Sequence, residues 1–588
     1  MSTPSTAAKA ELKAIEQRWN AAWPRALEVW SRFTRLSPPI LCRTHEAAKR
    51  EGLSGSFAMI RFADQAVVID LAKVVESQLE DFATEILAHE IGHHVLAPST
   101  LTDHGRMLAR MRAALPTLER HAPMLANLYT DLLINDRLQR SAQLRMADVY
   151  RALSGAAGSG EVWALYMRIY EVLWNVPRGQ LGGGALEDSA EGDAWLGARL
   201  VRSYARNWLE GSGRFASLFL SYVHRDQSSQ EAIERLLDTR DAGRGGDATG
   251  LTDVEPAEQS GAIHPALDPE LCDVEADGGE GKSAARATGQ AREPFEYGEL
   301  LRALGLPLDD HEVAVRYYRE RALPHLVPFP SERAQESTEP LLEGLEPWDI
   351  GHPLDALDLL QSVIVSPRVI PGLTTVQRSW GTEEGQQPKP QPLDLDLYVD
   401  SSGSMPNPQH RISYPTLAGA ILCLSALRAG ASVQATLWSG KNQCGGTQGF
   451  VRDELALLRV LTGFYGGGTA FPLHRLRETY DRRAARARPA HVLVISDDGV
   501  STMFDDDERG ESGWLIAKRA LAKARGGGTF VLELHDAAWD GARAQANPAY
   551  GAIRRARDEQ GWNVQRVASL AELVAFARAF SRLRYAGA

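Results

Sequence analysis

"LDLDLYVDSSGS", Leu393 to Ser404, reads as an apolar strand that runs into a short hydroxyl-rich turn. Asp400, Ser402 and Ser404 occupy alternate positions of that turn. In a tight loop this spacing puts one carboxylate and two hydroxyls on the same side. An all-oxygen, hard set of this kind suits Mg²⁺ or Mn²⁺ and not zinc. On its own the pattern is also that of an ordinary turn, where Ser and Asp are common. Two residues further along sharpen it. Thr469 follows three glycines in "YGGGTAF", and Asp497 closes the apolar strand in "VLVISDDG". Hydroxyl and water could complete an octahedral shell, with a position left open for a partner's carboxylate.

Around this stretch, from Leu393 onward, apolar strands alternate with helices: "LDLDLYVD", "TLAGAILCLSALRAG", "SVQATLWS", "ELALLRVLTGF", "HVLVISDD", "GWLIAKRALAKA", "TFVLELHD" and a last helix in "SLAELVAFARAFSRL". Such alternation predicts an α/β, doubly wound parallel sheet with helices on both faces. Ligands of open α/β sheets gather at the carboxyl ends of the strands, where the Asp400 turn lies. Residues 393–588 resemble a von Willebrand factor A domain, which is Rossmann-like. The resemblance maps a metal-ion-dependent adhesion site onto Asp400, Ser402, Ser404, Thr469 and Asp497, with Asp498 a bystander. It implies a Mg²⁺ (or Mn²⁺) ion that binds a protein partner and no catalysis at that ion.

A second stretch decides the other half. "TEILAHEIGHHVLAP", Thr84 to Pro98, places His89 and His93 four residues apart with Glu90 after the first. On a helix the two imidazoles lie one turn apart on one face and can reach a common ion. In His-Glu-x-x-His, neutral imidazoles hold zinc, zinc acidifies a water, and the glutamate acts as general base. The five-residue pattern also arises by chance. The hairpin expected in "SFAMIRFADQAVVIDLA" (Ser56–Ala72) strengthens it, because peptidases of this type lay substrate along an edge strand beside the metal helix. His94 points away from His89 and is read as a supporting or surface residue. A histidine six residues past His93 would make a metzincin, but Ser99 stands there.

The third ligand is sought in "ANLYTDLLINDRLQR", where Asn127, Asp131 and Asn135 form a polar stripe at i, i+4, i+8. Asp131 is the preferred ligand, and His104 is the alternative. For Asn127 and Asn135 taken separately, a helix face open to water is the plainer reading. The His-Glu-x-x-His helix followed by Asn-x-x-x-Asp-x-x-x-Asn, together with the C-terminal pattern, resembles bacterial two-domain proteins. These have a zincin-like metallopeptidase N-terminal half and a von Willebrand factor A-like C-terminal half. The resemblance covers residues 56–140 and 393–588, and implies association with a MoxR-type AAA+ ATPase, by analogy only.

The 588 residues exceed one hydrophobic core, so a multidomain chain is expected. A mostly helical zincin-like domain with a small hairpin is assigned to 1–238, with one long helix over Leu71–Leu96. In its first helix, Pro24 is expected to interrupt the spacing of Leu12, Ile15, Trp19 and Trp23. Aromatic stripes in "EVWALYMRIYEVLWN" and "RFASLFLSYV" read as core. Residues 239–292, rich in Gly, Ala, Asp and Glu, read as a flexible linker. A helical and Pro-rich connecting region follows over 293–392.

The net charge of -12 argues against a nucleic-acid partner, and the basic run "RRAARARP" (Arg482–Pro489) reads as the solvated end of a helix. Four scattered cysteines fit reduced thiols in the cytoplasm. Neither a secretory signal nor a membrane span is expected. The favoured function is a Zn²⁺-dependent peptidase joined to a Mg²⁺-dependent protein-binding domain. The alternative is a catalytically inactive metal-binding adaptor of an AAA+ ATPase complex. A metal-chelatase subunit ranks last, since His-Glu-x-x-His does not mark that group.

Overall fold

The computed structural model describes residues 6–153, 160–182, 190–226, most of 239–271, 290–333, 338–384, 390–484, 487–534, 547–567 and 569–582. The chain forms two compact units, Met1–Glu320 with Gln409–Arg411, and Arg321–Pro408 with Ile412–Ala588. Among the described residues no helix is long and apolar enough to cross a membrane.

The first unit is mainly helical. Helix α1 (Thr6–Trp30) precedes strand β1 (Ile40–Cys42), and β2 (Ala58–Arg61) and β3 (Ala66–Asp70) form the expected antiparallel hairpin. β1 pairs parallel with β3, giving the order β1-β3-β2 with β2 at an edge. Pro24 does not end α1, which continues to Trp30. Trp19, Trp23, Ala26 and Trp30 are buried along it, and that packing outweighs the backbone bond a proline cannot donate.

The single helix expected over Leu71–Leu96 is two, α2 (Leu71–Glu76) and α3 (Ala83–Val95). Asp70 starts α2 by accepting from Ala72 N and Lys73 N. Gln78, with φ 57°, turns the chain out of it, and Leu79 is buried beyond the turn. There follow α4 (Leu101–Ala113), α5 (Ala122–Ser141), α6 (Met146–Leu153), α7 (Glu161–Trp174), α8 (Glu191–Ser203) and α9 (Trp208–Arg225). After these come α10 (Pro294–Ala303) and α11 (Asp310–Ala322). Helix α3 is central and packs against α1, α5 and β2. Gly92 makes this possible, because a Cβ there would stand 2.5 Å from Ile134 Cγ2 and 2.7 Å from Trp30 Cζ2.

The described part of the 239–292 segment is not a free linker. Leu251 and Leu271 are buried, and Phe62 N donates to Ala242 O at 2.8 Å. Asp268 accepts from Tyr204 Oη at 2.7 Å and Arg214 Nε at 2.6 Å. Arg292 pairs with the buried Glu258. A few apolar side chains and ion pairs fix the segment onto a core supplied by the helices, which composition does not register. Residues 272–289 of that expectation, Cys272 among them, lie outside the described ones. The 293–392 region also divides: α10 and most of α11 belong to the first unit and the rest to the second.

The second unit begins with an arm the sequence reading missed. Strands β4 (Thr338–Pro347) and β5 (Val376–Glu384) pair antiparallel, and a helix α12 (Leu359–Val365) lies between them in sequence. A six-stranded mixed sheet follows: β6 (Asp394–Asp400), β7 (Val433–Trp438), β8 (Cys444–Gly446), β9 (Ala490–Ser496), β10 (Arg525–Leu532) and β11 (Asn563–Arg566). Its order is β8-β7-β6-β9-β10-β11, parallel except for β8.

Every residue of β6 and β9 is buried, the mark of strands covered on both faces. On one face Tyr398, Trp438 and Phe530 pack with Leu476 of α14 (Leu473–Asp481) and Ile516 of α15 (Gly513–Ala524). On the other, Leu397 and Ile495 close on Gly419 of α13 (Tyr414–Arg428). The basic run is less solvated than expected. Arg483 is paired with Asp394 at 3.1 Å and lies over the Phe450 ring at 4.4 Å, and Arg488 donates to Gly430 O at 3.1 Å. Cys42 and Cys423 are free and buried, and Cys444 is free and partly buried.

Candidate metal centres

Helices α3 and α5 cross so that His89, His93 and Asp131 meet. One ligand atom from each lies within 4.8 Å of the others. Asp131 Oδ1 stands 3.7 Å from His89 Nε2 and 3.6 Å from His93 Nε2. Tetrahedral ligands bonded at about 2.0–2.1 Å stand roughly 3.3 Å apart, so the trio can close on one ion with small adjustments. His104 is not in this group; it is buried with its ring 5.9 Å from that of Phe62. His94 is also outside it, and burial lowers the pKa of its imidazole.

The surrounding hydrogen bonds orient each ligand. Asn135 Nδ2 donates to Tyr170 Oη at 2.9 Å and Tyr150 Oη at 3.1 Å. Its Oδ1 therefore faces His89 Nδ1 at 2.7 Å and takes that proton. His93 Nδ1 donates to Ala97 O at 3.0 Å. With Nδ1 protonated in both rings, each Nε2 carries a lone pair toward Asp131, the tautomer a metal requires. Asn127 Nδ2 donates to Asp131 Oδ2 at 2.9 Å, and Thr239 N and Oγ1 donate to Asn127 Oδ1 at 3.0 and 2.8 Å. Two nitrogen lone pairs and a carboxylate oxygen converging in a buried place are suited to hold a cation.

Asn127 and Asn135 are each 1% exposed. They are thus supports of the site and not a wet helix face. Thr239 and the tyrosines Tyr150, Tyr166 and Tyr170, whose hydroxyls lie 3.0–3.1 Å apart, were not expected in this role. The spacing of Tyr166 and Tyr170 was visible, but an aromatic stripe reads first as core. Burial pushes the pKa of both hydroxyls well up, so they remain protonated.

Glu90 is 1% exposed and lines the same cavity as His89 and Asp131, a space of about 60 Å³. Phe57, Ile86, Met146, Val149 and Trp163 form its apolar wall. Ser56 and Phe57, just ahead of β2, also line it.

In the second unit, β6 and β9 end side by side and bring the C-terminal set together. Ser402 N donates to Asp400 Oδ1 at 2.8 Å. Ser402 Oγ lies 3.1 Å from Ser404 Oγ, and Ser404 Oγ donates to Asp497 Oδ2 at 2.6 Å. The glycines ahead of Thr469 lie against the turn, with Gly403 N donating to Gly467 O and Gly466 N to Ser401 O, both at 2.9 Å. Thr469 sits beside the Asp497 loop, its Cγ2 2.4 Å from where a Cβ on Gly499 would be. Asp498 bonds the Asn547 side chain.

Ser496, which the sequence reading passed over, donates to Asp400 Oδ2 at 2.5 Å. Burial, with a smaller contribution from the charge of Asp497, pushes Asp400 up to about 6 against the bonds from Ser496 and Ser402. Asp400, Ser402, Ser404 and Asp497 are thus linked by hydrogen bonds and offer only oxygen.

No protein-family model matches this chain, and no curated protein matches it.

Proposed function

We propose that the chain is a zinc-dependent peptidase of zincin type joined to a von Willebrand factor A-like domain that grips a protein partner through Mg²⁺. The observation that carries this reading is the meeting of His89 Nε2, His93 Nε2 and Asp131 Oδ1 from two helices, with Glu90 on the same cavity. Two imidazoles and one carboxylate are a catalytic zinc set, which keeps a fourth position for water or substrate. Zinc, when bound, supplies Lewis acidity toward a water and a carbonyl. With zinc held there, Glu90 would be the residue to take up a proton from water and return it to the leaving amine. Asn135 and Ala97 hold the ring orientations, and Asn127 holds Asp131.

In the second unit the oxygen-only set suits Mg²⁺ or Mn²⁺. Placing both sites on one chain raises the effective concentration of a recruited protein at the peptidase site. A MoxR-type AAA+ ATPase is the associated partner by architectural analogy.

A second reading, a metal-binding adaptor without turnover, is favoured by the burial of His93 and Glu90, which are 0% and 1% exposed. One experiment separates the two. The purified chain should carry about one zinc per first unit, lost in His89→Ala. Glu90→Gln should keep the zinc and lose cleavage of a peptide library. A zinc-loaded wild type that cleaves nothing, with or without a MoxR-type ATPase, would leave the adaptor.

A further inference from the structure

The carboxyl of Asp131 is oriented from outside its own helix. Asn127, one turn earlier on α5, donates Nδ2 to Asp131 Oδ2 at 2.9 Å. An amide side chain can be turned over, exchanging oxygen and nitrogen with almost no change of shape. Thr239 decides which way this one lies. Its backbone N–H reaches Asn127 at 3.0 Å and can only donate, so the atom it meets is the oxygen. The Thr239 hydroxyl donates to the same Oδ1 at 2.8 Å. The nitrogen of Asn127 therefore faces Asp131, and the bond to Oδ2 leaves Oδ1 toward His89 and His93. Turned over, Asn127 would set its oxygen against the carboxylate and its N–H against the Thr239 N–H. Thr239, Asn127 and Asp131 are 6%, 1% and 7% exposed, so a lost partner is not readily replaced by water.

Thr239 holds its place because the chain beyond it is packed onto the first unit. Ala242, fully buried, accepts from the N–H of Phe62 at 2.8 Å, just past the edge strand β2. Gly243 lies so close to the residue after α10 that a Cβ on it would collide with Leu304 O. Gly246 lies against Leu101 of α4, and Leu251 closes on Gly105 of the same helix. These contacts lie away from the ligands, yet they place the two donors that fix Asn127.

We propose that Thr239 is a positioning residue for the metal centre, and that docking of the described residues of 239–251 and binding of zinc strengthen each other through Asn127 and Asp131. The coupling rests on His89, His93 and Asp131 being the zinc ligands of the proposed function. Coupling of this kind is reciprocal. The docked stretch raises zinc affinity, and bound zinc holds the stretch in place. Whatever lifts the stretch from α4 and Leu304 then lowers zinc affinity without touching a ligand.

Competition with a zinc-sensitive dye, on the full chain, tests this. Thr239→Val keeps the shape and the N–H but loses the hydroxyl. It should weaken zinc binding by about tenfold, the low end of the cost of losing an outer partner of a ligand. Thr239→Ser, which keeps the hydroxyl, should bind zinc as the wild type does. Gly243→Val, which pushes the stretch away from Leu304, should weaken zinc binding as well. The melting temperature of Thr239→Val should fall further with zinc bound than without it, which a merely structural loss would not produce. In hydrogen exchange, zinc should slow the Phe62 and Thr239 amides of the wild type and leave those of His89→Ala unchanged. A wild type that binds no zinc would overturn the ligand trio and the coupling with it. Zinc bound equally by the wild type and Thr239→Val would overturn the coupling alone. So would a zinc-binding wild type in which the metal leaves exchange at Phe62 and Thr239 unaltered.

Discussion

Asn135 is the residue on which the geometry of the first site turns. Its amide links the tyrosine hydroxyls to His89 and sets which ring nitrogen carries the proton. Asn135→Leu should keep helix α5 while weakening zinc binding by about 10–100-fold, the usual cost of losing a group that orients a ligand. Competition with a zinc-sensitive dye measures this, and an unchanged affinity would remove Asn135 from the site.

In the second unit Asp396 is fully enclosed, with Gln434 Nε2 donating to it at 3.1 Å. Burial pushes this carboxyl up to about 7, against bonding from Tyr480 and Tyr398. The folded form therefore holds a proton that the unfolded chain releases near 4. The stability from this group is complete below that pH and falls away as pH rises to about 7. Asp396→Asn should abolish that fall, so calorimetric melting of variant and wild type should diverge between pH 4 and 7 and run parallel above it.

At the scale of elements, the first site exists because α3 can approach α1 and α5 closely. Trp30 Nε1 donates to Ala88 O at 2.7 Å, and Gly92 leaves room for Ile134. Gly92→Val should press α5 away, lower stability by about 1–3 kcal/mol and weaken metal binding with it, since Asp131 lies on α5. Thermal melting with and without zinc reads both effects; lost affinity at unchanged stability would contradict this account. Helical spacing made the faces of His89 and His93 readable in advance. It could not show that Asn127 and Asn135 are buried, because their cover comes from Thr239, α6 and α7. Nor could it show the end of α2, where Gln78 takes a left-handed turn in an otherwise helical pattern.

At the scale of the whole molecule, two compact units with chemically different sites should respond separately to metals. Zinc at about a hundredfold over its dissociation constant should stabilise the first unit by about 2.7 kcal/mol and leave the second unchanged, with Mg²⁺ doing the reverse. Calorimetry of the full chain, before and after chelation, should show one transition moving at a time. A single transition moved by both ions would show that the units unfold together. The alternation of strand and helix after Leu393, the hairpin and the residue types of the candidate sites were legible in the sequence alone, because period and side-chain chemistry are local properties. The fixing of the described residues of 239–271, the supporting roles of Asn127 and Asn135 and the outward apolar face of α12 were decided only by tertiary structure. Burial there depends on which distant surfaces meet, and no local spacing encodes that.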